Sequence, residues 1–219
     1  MMNRERTRAL FEDVDLYPVT CERLSSGRSN LEVLEAVIRG GVGIIQLREK
    51  DLSRRDFYHL AARFREITAR AGMLLIINDH LDVAMAVDAD GVHLGQDDFP
   101  PAEARRLAPE LFIGASTHSL EEARQAERDG ADYVNIGPIF PTGTKEGVER
   151  FLGPEGIGAI APHIGIPFTV MGGIKESNID AVLAQGARRV AVVTAVTRAA
   201  DMEGAVRSLR ERIRSARRK

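Results

Sequence analysis

Amide and basic side chains stand at alternate positions where one apolar run of the sequence ends. Gln46, Arg48 and Lys50 occupy positions i, i+2 and i+4. Alternate residues of an extended segment share one face, so these three side chains can point to one ligand. Buried charge is costly unless it meets a partner, which predicts an anion site, for example for phosphate. The alternative is a surface salt-bridge cluster with Glu49 and Asp51, and the apolar residues around Gln46 and Arg48 argue against it.

Carboxylates follow the next two apolar runs. Asn78 and Asp79 end one run, and Asp97 and Asp98 follow another. Carboxylates on neighbouring strand ends can hold a hard cation such as Mg²⁺, which takes few protein oxygens and adds substrate phosphates. Helix N-capping by Asp79 and Asp98 is an almost equally good interpretation. Physical reasoning from the sequence does not choose between Asp97 and Asp98 as the metal ligand.

Hydrogen-bond donors also follow the later runs. Ser119 and Glu122 fit a helix-capping box, which leaves Ser116 free to bind a ligand. His118 is a candidate acid–base group. No Ser/His/Asp arrangement for nucleophilic catalysis is evident, and the histidines lack the close pairing of a zinc site.

A Gly/Pro/Thr segment ending in lysine follows the sixth run. Thr142, Thr144 and Lys145 add hydroxyl and ammonium donors to its backbone N–H groups, a combination suited to an oxyanion. Loop 138–148 is long enough to close over a ligand and exclude water. After the seventh and eighth runs come Gly172-Gly173 and Thr194, where barrel enzymes commonly bind phosphate. Ordinary turns are the alternative at both places.

Eight short apolar runs, each followed by an amphipathic stretch, must position these residues. The runs are 16–20, 43–48, 74–78, 91–94, 112–115, 133–136, 167–171 and 190–193. This alternation predicts a parallel sheet covered by helices. Eight units favour a single (β/α)8 TIM barrel, and no glycine-rich dinucleotide turn follows the first run to support an open sheet. We predict a short N-terminal helical extension over 1–13 and one barrel domain over 14–219.

The composition limits the remaining possibilities. The chain has 219 residues, 44% of them hydrophobic, and a formal net charge of -2, so no overall attraction to nucleic acid is expected. Cys21 is the only cysteine, which favours a reducing compartment. With no signal-like apolar segment in 1–13 and no stretch long enough to span a membrane, we expect a cytoplasmic protein without membrane partners. The oligomeric state stays open, a homo-oligomer included.

Arginines crowd the C-terminal residues from Arg207 to Arg218, before Lys219. The simplest interpretation is that these cations lie at the end of a last helix, where they interact favourably with the helix dipole and keep the helix soluble. Binding of RNA or of a membrane by this tail is the less favoured alternative, since blocks of like charge are usually solvated.

Taken in order, these segments resemble the thiamine phosphate synthase family from about residue 15 to residue 200. The matching pieces are Gln46-Leu47-Arg48-x-Lys50, Asn78-Asp79, the segment 91–98, Ser116, Gly137-Pro138 with Thr142-x-Thr144-Lys145, and Gly172-Gly173-Ile174. Each piece is weak evidence by itself, but the pieces occur in family order with family-like spacing. Thr194, where the family often has Ser, and Met171 are mild departures.

The resemblance implies that a hydroxymethylpyrimidine diphosphate is joined to a thiazole phosphate, with release of pyrophosphate and formation of thiamine phosphate. It implies pyrimidine diphosphate binding by Gln46, Arg48, Lys50, Asn78, Ser116 and Lys145, with Arg48, Lys50, Ser116 and Lys145 as the catalytic set. It implies Mg²⁺ binding by Asp79 and Asp98. It places Thr142, Thr144, Gly173, Val193 and Thr194 around the thiazole phosphate.

Two rival functions stay open at this point. One is the thiazole tautomerase branch of the same family, in which His118 would act as acid and base. The other is a non-catalytic regulatory barrel that binds a thiamine precursor. Asp79, Asp98, Lys50 and Lys145 together favour the synthase, because that branch is expected to lack the metal–diphosphate set.

Overall fold

Eight parallel strands form the centre of the protein, in a computed structural model that describes residues 4–143 and 150–218. The strands are β1 Leu16–Pro18, β2 Ile44–Leu47, β3 Leu74–Asn78, β4 Gly91–Leu94, β5 Phe112–Thr117, β6 Tyr133–Ile136, β7 Phe168–Val170 and β8 Val190–Val192. Their order is β1-β8-β7-β6-β5-β4-β3-β2, and a parallel bridge between Val19 and Gln46 joins β1 to β2. The predicted TIM barrel is therefore confirmed. Strand β5 runs two residues past the predicted 112–115, so Ser116 lies on a strand.

Helices separate the strands and cover the sheet. They are α1 Arg4–Glu12, α2 Asn30–Arg39, α3 Arg54–Ala71, α4 Leu81–Ala86, α5 Pro101–Leu107, α6 Leu120–Arg128, α7 Glu155–Ile160, α8 Ile179–Ala184, α9 Thr194–Thr197 and α10 Met202–Arg217, with 3-10 turns at Glu22–Leu24 and Ala161–His163. Helix α2 begins with a capping box of Ser29 and Glu32, and α3 ends at the left-handed Gly72. Within the described ranges, no helix combines the length and the apolar character needed to cross a membrane.

Helix α1 lies within the predicted N-terminal extension and closes the N-terminal end of the barrel. Phe11 is fully buried, and its ring lies 4.6 Å from that of Tyr133 and 5.0 Å from that of Phe112. Arg189 holds the helix end by donating to the Phe11 carbonyl oxygen at 3.0 Å. The division into an arm over 1–13 and a barrel over 14–219 remains a proposal, but Phe11 belongs to the hydrophobic core.

Three buried aspartates mark the N-terminal end of the barrel, which we call the floor. Asp15, Asp90 and Asp132 precede β1, β4 and β6, and each accepts a backbone N–H from a strand. Each also pairs with at least one arginine. Buried carboxylates need such partners, so these aspartates connect neighbouring elements of the fold.

The basic C-terminal segment takes part in the floor. Arg210 and Arg214 of α10 both donate to Asp15, at 2.9 and 2.6 Å. Arg217 donates to the Arg188 carbonyl oxygen at 2.5 Å. Interaction with the helix dipole and solubility, which the sequence predicted, therefore explain only part of the role of these arginines. Several of them also bind residues of the floor.

Candidate active site

A cavity opens at the C-terminal ends of the strands, which we call the rim. The predicted site residues that line it are Gln46, Arg48, Lys50, Asn78, Asp79, Asp98, Ser116, Thr142, Gly173, Val193 and Thr194. The other predicted site residues, Thr144 and Lys145, lie outside the residues that the structure describes. The tertiary structure therefore brings together every predicted site residue whose position it gives.

Strand β2 and the residues that follow it direct Gln46, Arg48 and Lys50 into the cavity, with Gln46 on the strand and the other two beyond its end. Gln46 is buried, whereas Arg48 and Lys50 reach the more open part of the rim. The alternative of a salt-bridge cluster with Glu49 and Asp51 is wrong, because Glu49 accepts the backbone N–H of Glu22 at 2.8 Å and Asp51 pairs with Arg23. Among the described residues, the Arg48 guanidinium has no hydrogen bond or ion pair of its own. An unpaired guanidinium in a cavity favours an anionic ligand.

Helix capping by Asp79 and Asp98 is also wrong. Helix α4 is preceded by His80 and α5 by Pro100, and neither helix receives a capping bond from a side chain. Asp79 has a φ of 63°, in the left-handed region that non-glycine residues seldom adopt. Such backbone strain is typical of functional sites.

The two carboxylates form an oxygen-only site that fits a hard cation. Asp79 pairs with the Lys50 ammonium, and Asp98 accepts the Gly95 N–H at 2.7 Å. Burial, first, and the nearby Asp79 carboxyl raise the pKa of Asp98, against the lowering effects of the Gly95 N–H and Lys50. No cluster of three acidic, His or Cys side chains occurs in the described ranges, so a cation here would need further oxygens, as Mg²⁺ takes from phosphates. Asp98 lines the cavity, whereas Asp97 is exposed and lies outside the cavity lining.

A chain of hydrogen bonds crosses the interior of the barrel below the cavity. Gln46 Nε2 donates to the Tyr17 hydroxyl at 3.0 Å, and the Tyr17 and Tyr133 hydroxyls lie 2.9 Å apart. His93 joins Tyr133 through Nδ1 and Ser116 through Nε2, each at 2.9 Å. Burial lowers the pKa of His93 to about 4, which leaves the ring neutral at neutral pH. The chain therefore links two predicted substrate-binding residues, Gln46 and Ser116.

Sequence reasoning missed several lining residues, including Tyr17, His93, Asn135 and Thr169. Asn135 and Thr169 are bonded to each other at 2.9 Å. All four are polar residues within otherwise apolar strands. That pattern was the available signal, because a polar residue in such a strand faces either a partner or a ligand.

His118 also lines the cavity, held by Glu122. The predicted capping box is only half correct, since Ser119 accepts the Glu122 N–H at 3.1 Å but the carboxylate does not return to Ser119. It accepts instead from the His118 N–H at 2.7 Å and lies 2.9 Å from His118 Nδ1. Glu122 therefore fixes the orientation of the imidazole.

Loops after β6 and β7 pack closely on the other side of the cavity. Phe140 donates its N–H to the Gly172 carbonyl oxygen at 2.9 Å. Gly173 has a φ of 61°, and a Cβ there would lie 2.4 Å from the Pro141 oxygen. Only glycine allows this approach, which leaves backbone groups close to the cavity.

The predicted lid over 138–148 is anchored at its start. The carbonyl oxygens of Pro138 and Ile139 accept from the N–H groups of Leu152 and Gly153 at 2.9 and 3.1 Å. Ile139 is buried. Residues 144–148 of this loop lie outside the residues that the structure describes, and closure of the loop remains a prediction.

Fold and site together define a β/α barrel with a cavity lined by polar and charged residues at its rim. The family model described as thiamine monophosphate synthase matches residues 16–196. The chain is 50% identical to the thiamine-phosphate synthase of Chloroflexus aurantiacus, over 90% of this chain and 92% of the relative. A thiamine phosphate pyrophosphorylase structure from Pyrococcus furiosus superposes with a TM-score of 0.85 at 38% identity, covering 93% of this chain and 96% of the other. The chain belongs to the thiamine monophosphate synthase family.

Proposed function

We propose that this protein is a transferase of thiamine biosynthesis that makes thiamine phosphate. It joins 4-amino-2-methyl-5-(diphosphooxymethyl)pyrimidine to 4-methyl-5-(2-phosphooxyethyl)thiazole and releases pyrophosphate. The observation that carries this proposal is the divided rim. Arg48, Lys50 and the Asp79–Asp98 pair occupy one side, and glycine and hydroxyl groups occupy the other. Among the described residues, the Arg48 guanidinium has no hydrogen bond. The first side suits a metal-bound diphosphate, and the second suits a monophosphate.

The diphosphate side neutralises the leaving group. Arg48 and Lys50, together with Lys145 by family resemblance, bind the diphosphate oxygens. Asp79 and Asp98 would hold Mg²⁺, whose positive charge would add to this neutralisation. Lys50 lines the cavity beside Asp79 and would direct its ammonium to the diphosphate.

The pyrimidine ring lies deeper, against the polar residues of the barrel interior. Gln46, Asn78 and Ser116 are at the C-terminal halves of β2, β3 and β5, and Gln46 and Asn78 are buried. Polar groups at such positions orient a heterocycle, because a buried polar group without a partner is costly.

The thiazole phosphate lies against the loops that follow β6, β7 and β8. Gly173 and Val193 contribute backbone, and Thr142 and Thr194 contribute hydroxyls, with Thr144 added by family resemblance. Thr194 begins α9, whose N-terminal N–H groups are available to the phosphate along with its hydroxyl.

The reaction requires no protein nucleophile. The C–O bond between the pyrimidine methylene and the diphosphate breaks first, and the pyrophosphate keeps the electron pair. The thiazole nitrogen then donates its electron pair to the cationic methylene and forms the C–N bond. The protein stabilises the leaving group and excludes water, which would otherwise capture the cation.

The direct test is to mix the protein with both substrates and Mg²⁺ and to measure pyrophosphate and thiamine phosphate. Formation of both products in equal amounts supports the synthase. Conversion of the thiazole phosphate to a tautomer without pyrophosphate release supports the tautomerase branch. Binding of either substrate without any product supports a regulatory barrel. Either of the last two outcomes would overturn the proposal.

A further inference from the structure

The hydrogen-bond chain below the cavity has a direction. Gln46 donates through Nε2 to the Tyr17 hydroxyl, whereas the Tyr17–Tyr133 bond can form with either hydroxyl as donor. Tyr17 has one hydrogen and no other acceptor among the described residues, so the arrangement that uses every hydrogen has Tyr17 donating to Tyr133. In this arrangement Tyr133 donates to His93 Nδ1, which is then the unprotonated ring nitrogen. His93 then carries its hydrogen on Nε2 and donates it to Ser116 Oγ.

This direction sets what the two ends of the chain offer to a ligand. Ser116 Oγ accepts from His93, so its own hydrogen is free to donate into the cavity. Gln46 donates an amide hydrogen to Tyr17, and its Oε1 has no hydrogen bond to any described residue. The cavity therefore presents an acceptor at Gln46 and a donor at Ser116.

We infer that Tyr17, Tyr133 and His93 are positioning residues that orient Gln46 and Ser116 to recognise an aminopyrimidine. The amino group of the ring donates to Gln46 Oε1, and a ring nitrogen accepts from the Ser116 hydroxyl. A hydroxypyrimidine in its keto form offers the opposite pattern and is rejected, because it would leave buried polar groups unpaired. This inference rests on the proposed function for the identity of the ligand. The direction of the hydrogen-bond chain does not depend on the proposed function.

Packing holds the central link of the chain in place. The Tyr133 ring stacks on Phe112 at 5.4 Å with an interplanar angle of 18°, and Phe11 of α1 contacts it from below. On β5, a Cβ at Gly114 would lie 2.1 Å from the Tyr133 ring, so only glycine leaves room for it. The hydroxyl of Tyr133 is thereby directed at Tyr17 and His93, both of which line the cavity.

The tautomer of His93 tests the direction without any turnover. Protein labelled with ¹⁵N-histidine is studied by long-range ¹H–¹⁵N correlation NMR, with the His93→Gln variant used to assign the signals. We expect a neutral ring protonated at Nε2 in the wild type and a mixture of tautomers in Tyr133→Phe. A wild-type ring protonated at Nδ1 would reverse the chain and overturn the inference.

Kinetics of two hydroxyl deletions test the positioning role. Tyr133→Phe removes one hydroxyl but keeps the stacked ring. Thr117→Val is the matched control, since Thr117 is also fully buried and bonds to the Asn135 carbonyl oxygen at 3.1 Å, but it does not line the cavity. We expect the KM for the pyrimidine diphosphate to rise about tenfold in Tyr133→Phe, as for a lost hydrogen bond, while the KM for the thiazole phosphate stays unchanged. Thr117→Val should change neither KM.

Equal KM changes for both substrates in Tyr133→Phe, or none for either, would contradict the positioning role. If Tyr133→Phe fails to fold, Tyr17→Phe provides the same test from the other side of the chain. Failure of the proposed function is distinguishable, because a protein that releases no pyrophosphate can still show the Nε2–H tautomer. Direct binding of the aminopyrimidine diphosphate, measured by calorimetry, then replaces KM in the comparison.

Discussion

The floor and the rim of the barrel use aspartate in opposite ways. On the floor, Asp132 is fully buried and bonded to Arg4, Arg8 and Arg105. On the rim, Asp98 has no arginine within ion-pair distance among the described residues, and Asp79 shares a single lysine. On the floor the protein's own arginines neutralise the aspartate charge. On the rim part of that charge is left for a ligand to neutralise. The difference teaches that the floor stabilises the fold, whereas the rim gives up stability for binding.

The pKa of Asp15 is shifted in the opposite direction from those of Asp90 and Asp98. Burial tends to raise the pKa of Asp15, but the bonds from Arg210, Leu16 N–H and Arg214 outweigh it and lower the pKa. Asp90 has only Arg65, its Oδ1 has no partner, and burial raises its pKa. Burial also raises the pKa of Asp98, with Asp79 adding to the effect. At Asp15 two arginines and a backbone N–H together offset burial, whereas at Asp90 one arginine and a backbone N–H do not.

Loss of a rim carboxylate should have the largest effect. Asp79→Ala and Asp98→Ala are each expected to lower kcat/KM about 1000-fold, equal to about 4 kcal/mol, because the leaving group loses charge neutralisation. Pyrophosphate release measured against Mg²⁺ concentration tests this, together with urea unfolding. Stability should change little, since removing one of two repelling carboxylates offsets the loss of the Lys50 pair or of the Gly95 hydrogen bond. Kinetics near those of the wild type would mean that neither carboxylate takes part in catalysis.

Loss of a floor carboxylate should give the reverse result. Asp132→Asn leaves its arginines facing an uncharged group and is expected to lower the free energy of unfolding by about 3 kcal/mol. Activity measured below the melting temperature should not change. Asp129→Asn is the control, because Asp129 accepts from Gln125 rather than from an arginine. A fall in kcat/KM without loss of stability would contradict the separation of floor and rim.

The stability contribution of Asp15 should depend on pH with a definite sign. Its folded pKa lies below the unfolded value, so the stabilisation is complete above the unfolded pKa of about 3.9 and is lost as the pH falls through the folded pKa. Asp15→Asn is expected to cost about 2 kcal/mol at pH 7, as for hydrogen bonds to a charged group. Urea unfolding at several pH values should show the difference from wild type shrinking in acid. A difference independent of pH would mean that packing, not charge, is responsible.

An arginine from each region completes the comparison. Arg48→Gln should raise the KM for the pyrimidine diphosphate about tenfold, equal to about 1.4 kcal/mol, and leave stability unchanged. Arg214→Gln should leave both KM values unchanged and reduce stability slightly, since the Arg214 side chain is 53% exposed where it pairs with Asp15. Steady-state kinetics and thermal unfolding of the two variants give the answer. Similar changes in KM for the two variants would show that the net charge of the protein, rather than the position of each arginine, determines substrate binding.

Much of the fold and of the rim was predictable because the determining signals are local. Apolar runs alternate with amphipathic stretches, so eight strands and their C-terminal ends could be located from the sequence. The alternation of side chains along an extended segment likewise predicted that Gln46, Arg48 and Lys50 would share a face. Helix ends are likewise determined by nearby residues. Ser29 and Glu32 cap the start of α2, and Gly72 ends α3.

Only the tertiary structure decided which polar residues meet. Asp15 and Arg210 are separated by 195 positions, and Tyr17 and Tyr133 by 116, so no local pattern joins them. The choice of Asp98 over its neighbour depended on which carboxylate a turn directs into the cavity. Local sequence determines the elements and the faces they present, because backbone geometry repeats over a few residues. Closure of the barrel determines the partners, because it brings together the ends of strands that are far apart in the chain.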